Sequence, residues 1–205
     1  SMPVITGGIG VCHAYVDSAA DPDSALAIAY NAKVQRPTVC NALDTLMVHS
    51  QVAPSLLPRI AANWAKAGVE MRCDRRALGI LAPLQLAKVH PVGEEDWGRE
   101  FLALIAAVKV VDSLDEALEH IRLHGSGHSE AIVTEDNAAA VRFLEEVDAS
   151  AVFVNASTRF NDGSELGLGA EVGISTQKFH ARGPIGLKEL TSYKWTIIGT
   201  GHVRS

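Results

Sequence analysis

A chain of 205 residues, 47% apolar and 20% charged, is long enough for one sizeable core and too apolar to stay disordered. No run of about 18 apolar residues occurs, so nothing reads as a membrane span. The formal net charge of -6 offers no basic patch for nucleic acid or an anionic membrane surface, which leaves small molecules and protein partners. Three cysteines, Cys12, Cys40 and Cys73, make an odd set without Cys-x-x-Cys spacing. With no signal peptide ahead of them, they fit a reducing, cytoplasmic setting. Ser1-Met2 runs straight into Pro3-Val-Ile, so the chain reads as beginning mid-protein.

In chain order, a glycine cluster from Gly7 to Gly10 leads into an apolar run with strand character, Val11 to Val16. Asp21 as N-cap and Pro22 in the first turn open a helix from Asp23 to Gln35, with Leu26, Ile28, Ala29 and Ala32 on its apolar stripe. Pro37 stops that helix, and Arg36 to Val39 should form a short turn that swings Cys40 off the helix axis. Strand-like runs recur at Thr45 to Val48, just ahead of Cys73, at Leu104 to Val111, at Ala131 to Thr134 and at Ala151 to Val154. Helical patterns at Val52 to Ala67, Leu114 to Leu123 and Asn137 to Val147 alternate with them, and Ser113 with Glu116 reads as a capping box. The rhythm predicts an α/β fold with a mostly parallel sheet and helices on its faces. The segment from Asn155 to Gly186 breaks the rhythm, as functional or interfacial loops do. Leu190 to Ile198 then reads as a final strand with Tyr193, Trp195 and Ile197 on one face, available to its own sheet edge or to another subunit.

Cys12 and Cys73 fall within or beside strand patterns and read as small buried hydrophobes. Cys40 differs, because it follows a proline-terminated helix, sits beside Asn41 and lies near Arg36, whose charge would favour a thiolate. A cysteine-protease arrangement would need one of the eight histidines, His13, His49, His90, His120, His124, His128, His180 or His202, as base. His124-Gly-Ser-Gly-His128 has i, i+4 spacing but lies in a loop without further metal ligands. Neither glycine cluster, Gly8 to His13 or Gly167 to Gly173, has dinucleotide-fingerprint spacing. Asn155-Ala-Ser-Thr-Arg159 gathers amide, hydroxyl and guanidinium groups where a strand's carboxyl end should be, a usual ligand position in open α/β sheets. Arg159 could there fork onto a carboxylate or a phosphate, with Ser157 and Thr158 adding donors. From these residues alone, an enzyme with a cysteine nucleophile and a non-catalytic interaction or oligomerisation domain with an incidental cysteine both stand.

Four stretches taken together resemble gamma-glutamyl phosphate reductase, the glutamate-5-semialdehyde dehydrogenase of proline biosynthesis within the aldehyde dehydrogenase superfamily. They are Gly7 to Asp17, Asn31 to Ala42, Asn155 to Phe160, and Gly169 to Pro184. The resemblance implies an aldehyde-dehydrogenase-like catalytic domain at residues 1–182, a C-terminal oligomerisation arm at 183–205 and an N-terminal cofactor domain absent from the chain. It implies that Cys40 attacks L-glutamyl 5-phosphate, loses phosphate and forms a thioester, which NADPH reduces to L-glutamate 5-semialdehyde. The oxyanion would rest on the Cys40 backbone N–H and on Asn41, the nicotinamide ribose on Glu100, and the substrate on Asn155, Ser157, Thr158 and Arg159, with no metal. Where hydrolytic relatives carry a glutamate base, Thr6-Gly7-Gly8 stands here, as suits an enzyme that exchanges with phosphate. The isolated chain should be inactive, since NADP is bound mainly by the missing domain. A homodimer or higher homo-oligomer through the last strand is implied.

Overall fold

The computed structural model describes residues 4–178 and 181–205. Ser1-Met2 and the Phe179-His180 part of the fourth stretch lie outside the described residues. Seven strands, β1 (His13–Val16), β2 (Thr45–His49), β3 (Glu70–Cys73), β4 (Val89–Pro91), β5 (Ile105–Val111), β6 (Ser129–Val133) and β7 (Ala151–Val154), form one sheet in the order β4-β3-β5-β2-β1-β6-β7. Every pairing in it is parallel. Strand β1, between β2 and β6, aligns His13 with Thr45 on one side and with Glu130 on the other. Residues of β1, β2 and β6 are all buried, as parallel strands covered on both faces must be.

Helices α1 (Pro22–Val34), α2 (Ala53–Lys66) and α3 (Arg75–Leu81) cover one face, where Ala29, Leu57, Ile60 and Trp64 pack against Ala14, Leu46, Val48 and Val108. Helices α4 (Leu114–His124) and α5 (Asn137–Glu146) cover the other, where Ile121 and Phe143 meet Tyr15, Met47 and Ile132. The alternation within β1 divides these two cores: Ala14 and Val16 face one, Tyr15 the other.

The α1 start matches its sequence signals, with Asp21 accepting the Ser24 N–H at 2.8 Å ahead of Pro22. At α4 only half of the expected capping box forms. Ser113 accepts the Glu116 N–H at 3.2 Å, but the Glu116 carboxylate reaches back one residue further, to the N–H of Asp112. Three elements lack a strong sequence signal: β3, β4 and the seven-residue α3. A small antiparallel pair, β8 (Gly173–Ser175) and β9 (Gly183–Ile185), lies inside the segment expected to be irregular.

Leu190 to Ile198 does not close its own sheet edge: it pairs with no strand among the described residues. Tyr193, Trp195, Ile197 and Ile198 are 85–93% exposed. Of the two partners expected for a final strand, its own sheet edge is thus ruled out among the described residues, and only another subunit is left to supply one.

Candidate active site

Because the strands run parallel, the segments that precede them share one edge of the sheet. Gly10 to Cys12 precede β1, Cys40 and Asn41 precede β2, Glu100 precedes β5 and His128 precedes β6. Cys40 sits at the apex of a short loop held at both ends. The Leu43 N–H donates to Ala32 O at 2.9 Å, and the Lys33 ammonium, fully buried on α1, donates to Leu43 O at 2.6 Å. Below the loop, the Cys12 thiol donates to Cys40 O at 3.2 Å.

Asp44 ties these segments together. Its carboxylate accepts the Cys12 N–H at 3.3 Å and the Phe101 N–H at 3.0 Å, and its Oδ1 lies 3.9 Å from Lys33 Nζ. Burial pushes the Asp44 carboxyl up to about 6, against Lys33 and the two N–H donors, and burial pushes Lys33 down to about 8, against Asp44.

Cys40 is partly exposed, whereas Cys12 and Cys73 are buried. Its sulfur makes no hydrogen bond among the described residues, and neither its own N–H nor that of Asn41 finds an acceptor among them. Two unspent N–H groups beside a reachable thiol are what an oxyanion needs. Burial raises the Cys40 thiol above its ordinary range, as do Glu171 and Glu100, while its own N–H and Arg159 pull it down. The cation acting on Cys40 is therefore Arg159 rather than Arg36. The histidine nearest a cysteine, His128, stands 3.6 Å from Cys12 Sγ, not beside Cys40. Burial lowers His128 to about 4, so it is neutral there. His180 lies outside the described residues. Among the described residues, no three His, Cys, Asp or Glu side chains gather as metal ligands.

The loop after β7 begins at the carboxyl end of the strands but does not stay there. Asn155, at φ 54°, holds the Thr134 N–H and C=O, each at 2.9 Å, just past the end of β6. By Asn161 the chain has returned to the amino ends, where its amide donates to Ser129 Oγ at 2.9 Å and to His128 O. The polar groups of this loop thus meet the Cys40 loop at the opposite sheet edge from the one expected. Ser157 caps a short 3-10 turn at Thr158–Phe160, and buried Thr158 donates to Asn41 O at 2.7 Å. The Asn41 amide is spent on Arg159 O at 3.4 Å and Asn161 O at 3.1 Å, and its oxygen accepts from Arg159. Asn41 can therefore offer an oxyanion only its main-chain N–H. Of the four loop residues singled out in the sequence, Asn155 is tied to Thr134 and Thr158 to Asn41, the Ser157 hydroxyl accepts the Arg159 N–H and donates to nothing among the described residues, and Arg159 keeps one terminal nitrogen uncommitted.

Glu100 accepts the Gly10 N–H at 3.0 Å, which places its carboxylate at the Cys40 edge. Gly10 itself escaped the sequence reading, because its cluster was tested only for nucleotide spacing. A Cβ there would overlap the Cys40 carbonyl oxygen and come within 2.8 Å of Cys40 Cβ. Gly10→Ala should therefore displace the Cys40 loop, lowering stability by about 1–3 kcal/mol and slowing alkylation of Cys40. Urea unfolding and peptide mapping measure both, and a variant that matches wild type in both would show that the loop tolerates the displacement. Glu171 is the other residue missed. Its carboxylate accepts the Gly163 N–H at 2.8 Å, yet its charge reaches Cys40.

A gamma-glutamyl phosphate reductase of Dehalococcoides mccartyi is 64% identical over 203 residues, covering 99% of this chain and 48% of that protein. Its counterpart in Roseiflexus castenholzii is 59% identical over 207 residues, 100% of this chain and 49% of that one. The solved gamma-glutamyl phosphate reductase of Thermotoga maritima superposes with a TM-score of 0.90 at 49% identity, covering 100% of this chain and 48% of that one. An acetylating aldehyde dehydrogenase from Geobacillus thermoglucosidasius, 17% identical, superposes at 0.71 over 99% of this chain and 53% of that one, which shows a shared fold. No family model matches the chain. The chain spans about half the length of the curated relatives it matches.

Proposed function

We propose, on the premise that this chain is homologous to gamma-glutamyl phosphate reductase along its whole length, that it is the thiol-bearing catalytic part of an enzyme reducing L-glutamyl 5-phosphate to L-glutamate 5-semialdehyde. The observation that carries the reading is Cys40: a partly exposed thiol at the apex of a clamped loop, with two unspent N–H groups beside it. The Cys40 thiolate adds to the γ-carbonyl, and the oxyanion that forms is received by the N–H groups of Cys40 and Asn41. As the carbonyl re-forms, the C–O bond to phosphate breaks and phosphate leaves, so a thioester joins the glutamyl group to Cys40. Splitting acyl transfer from reduction replaces one hard step by two easier ones. Arg159 supports the thiolate electrostatically, and Asn41, fastened by Thr158, fixes the donor pair.

Glu100 would hold the nicotinamide ribose. Its carboxylate faces the Cys40 edge with one oxygen on Gly10 and no protein donor on the other among the described residues, which suits a sugar hydroxyl. NADPH, when bound, supplies the hydride that releases the aldehyde. In this reading residues 1–182 are the catalytic domain and residues 183–205 an arm, most of the cofactor contact comes from outside this chain, and the exposed Tyr193 to Ile198 segment pairs with a second copy in a cytoplasmic homo-oligomer.

Iodoacetamide near neutral pH should modify Cys40 well before Cys12 and Cys73, with a rate that climbs with pH because the thiol titrates above its usual range. The chain alone should oxidise no NADPH with glutamyl phosphate. Uniform slow labelling of the three cysteines would remove the nucleophile from the reading, and turnover by the chain alone would remove the divided cofactor site.

A further inference from the structure

Beside the Cys40 loop lies a cavity of ≈ 230 Å³ lined by Asn31, Gln35, Arg159, Phe160, Asp162 and Glu165. That is several water volumes at about 30 Å³ each, ample for an amino-acid head group. Its polar groups are partly committed and partly free. Arg159 donates Nε to Gln35 Oε1 at 2.7 Å and one terminal nitrogen to Asn41, which leaves the other terminal nitrogen without a partner among the described residues. Through the same contact Gln35 is oriented with its amide NH₂ unspent. Asp162 holds the turn that follows it with one oxygen, accepting from Ser164 and Glu165 N–H groups, and its second oxygen is free of protein donors among the described residues. The exposed Glu165 carboxylate and the Asn31 amide accept and donate nothing among them.

One cation and two carboxylates around a small hollow select by charge. A phosphate carrying about two negative charges would face Asp162 and Glu165 at close range, where like charges repel. A zwitterionic head group finds complements for both of its charges, its carboxylate on Arg159 with the Gln35 amide and its ammonium on Asp162 and Glu165. We propose that this cavity is the subsite for the α-amino and α-carboxylate groups of the glutamyl substrate, with Gln35, Asp162 and Glu165 as specificity-determining residues beside Arg159. The inference rests on the reading of Cys40 as a glutamyl-accepting thiol. It assigns Arg159 to a carboxylate and leaves the phosphate end of the substrate at Cys40.

The test is alkylation of this chain by the chloromethyl ketone of L-glutamate at its side-chain carboxyl, compared with chloroacetone. In both reactions the Cys40 thiolate displaces chloride, the S–C bond forming as the C–Cl bond breaks. Dividing the two rate constants cancels changes in thiol reactivity. In wild type the glutamate reagent should saturate, outpace chloroacetone and prefer L over D. Arg159→Met, and separately the pair Asp162→Asn with Glu165→Gln, should each lower the ratio at least about tenfold, the scale of a charge-assisted contact. The acidic side chains make no hydrogen bond to the Cys40 loop among the described residues, so their exchange covers the case in which Arg159→Met disturbs Asn41. If wild type saturates and neither variant moves the ratio, the head-group subsite is wrong while the glutamyl reading stands. If wild type shows neither saturation nor stereochemical preference, both fall.

Discussion

Replacing Cys40 by serine should lower kcat/KM for L-glutamyl 5-phosphate by at least about a thousandfold in a full-length enzyme that contains this chain. The surroundings explain why the exchange of one atom costs so much. A cysteine thiol whose pKa is raised by burial, Glu171 and Glu100 still supplies a small thiolate population near neutrality. A serine hydroxyl in the same field supplies essentially no alkoxide, and no histidine at hydrogen-bond distance among the described residues stands ready to take its proton. The fold should not register the change, since the Cys40 sulfur makes no hydrogen bond there and surface-type substitutions fall within about 0.5 kcal/mol. Steady-state NADPH oxidation and a urea midpoint measured on the same preparation decide it. Residual turnover above one part in a hundred would mean that another group bears the acyl chain.

Asp44→Ala should cost about 3–5 kcal/mol of folding stability at pH 7, the range for removing one partner of a buried ion pair. Four ties are lost or stranded at once: the N–H groups of Cys12 and Phe101, the Lys33 ammonium, and through Lys33 the carbonyl of Leu43. The pH dependence separates this from simple cavity formation. Burial holds Lys33 near 8 in the folded protein, and Asp44 is what opposes burial, so without it the folded pKa falls further below the ordinary lysine value. Between those two values the unfolded chain binds a proton that the folded one does not, so stability rises with pH. The penalty of Asp44→Ala should therefore shrink from pH 7 to pH 9. A penalty independent of pH across that window would show that Asp44 does not help hold the Lys33 proton in the folded protein.

How much of this was legible in the sequence depends on the length of the signal. Helices α1, α2, α4 and α5 carry several turns of apolar period, with side-chain caps on α1, α4 and α5, and they fall within a residue or two of expectation. In β3, only Met71 and Cys73 point inward between Glu70 and Arg72, so a four-residue strand shows a period too short to read. The exposed Cys40 loop was legible because Pro37 follows the end of a helix just ahead of it. Its setting was not. Which end of a parallel sheet carries the site depends on chain crossings such as Asn155 to Asn161, and no local pattern records them. Nor could spacing show that the Asn41 amide is turned inward, since its acceptors lie 118 and 120 residues away.

The position of β1 between β2 and β6 has a consequence for how the protein comes into being. His13 pairs with Glu130, and Thr158 secures the residue after Cys40, so the two sides of the site are joined by contacts more than a hundred residues apart. Such closures are slow, because the entropy of the intervening loop must be lost before the contact forms. During synthesis, which runs from the amino end, Cys40 emerges well ahead of the strand and loop that fasten it and stays unhoused until they have followed. The thiol should therefore spend the first part of the protein's life as an ordinary, freely oxidisable cysteine, and its alkylation rate on stalled nascent chains should change sharply once residues beyond Asn161 are free to fold.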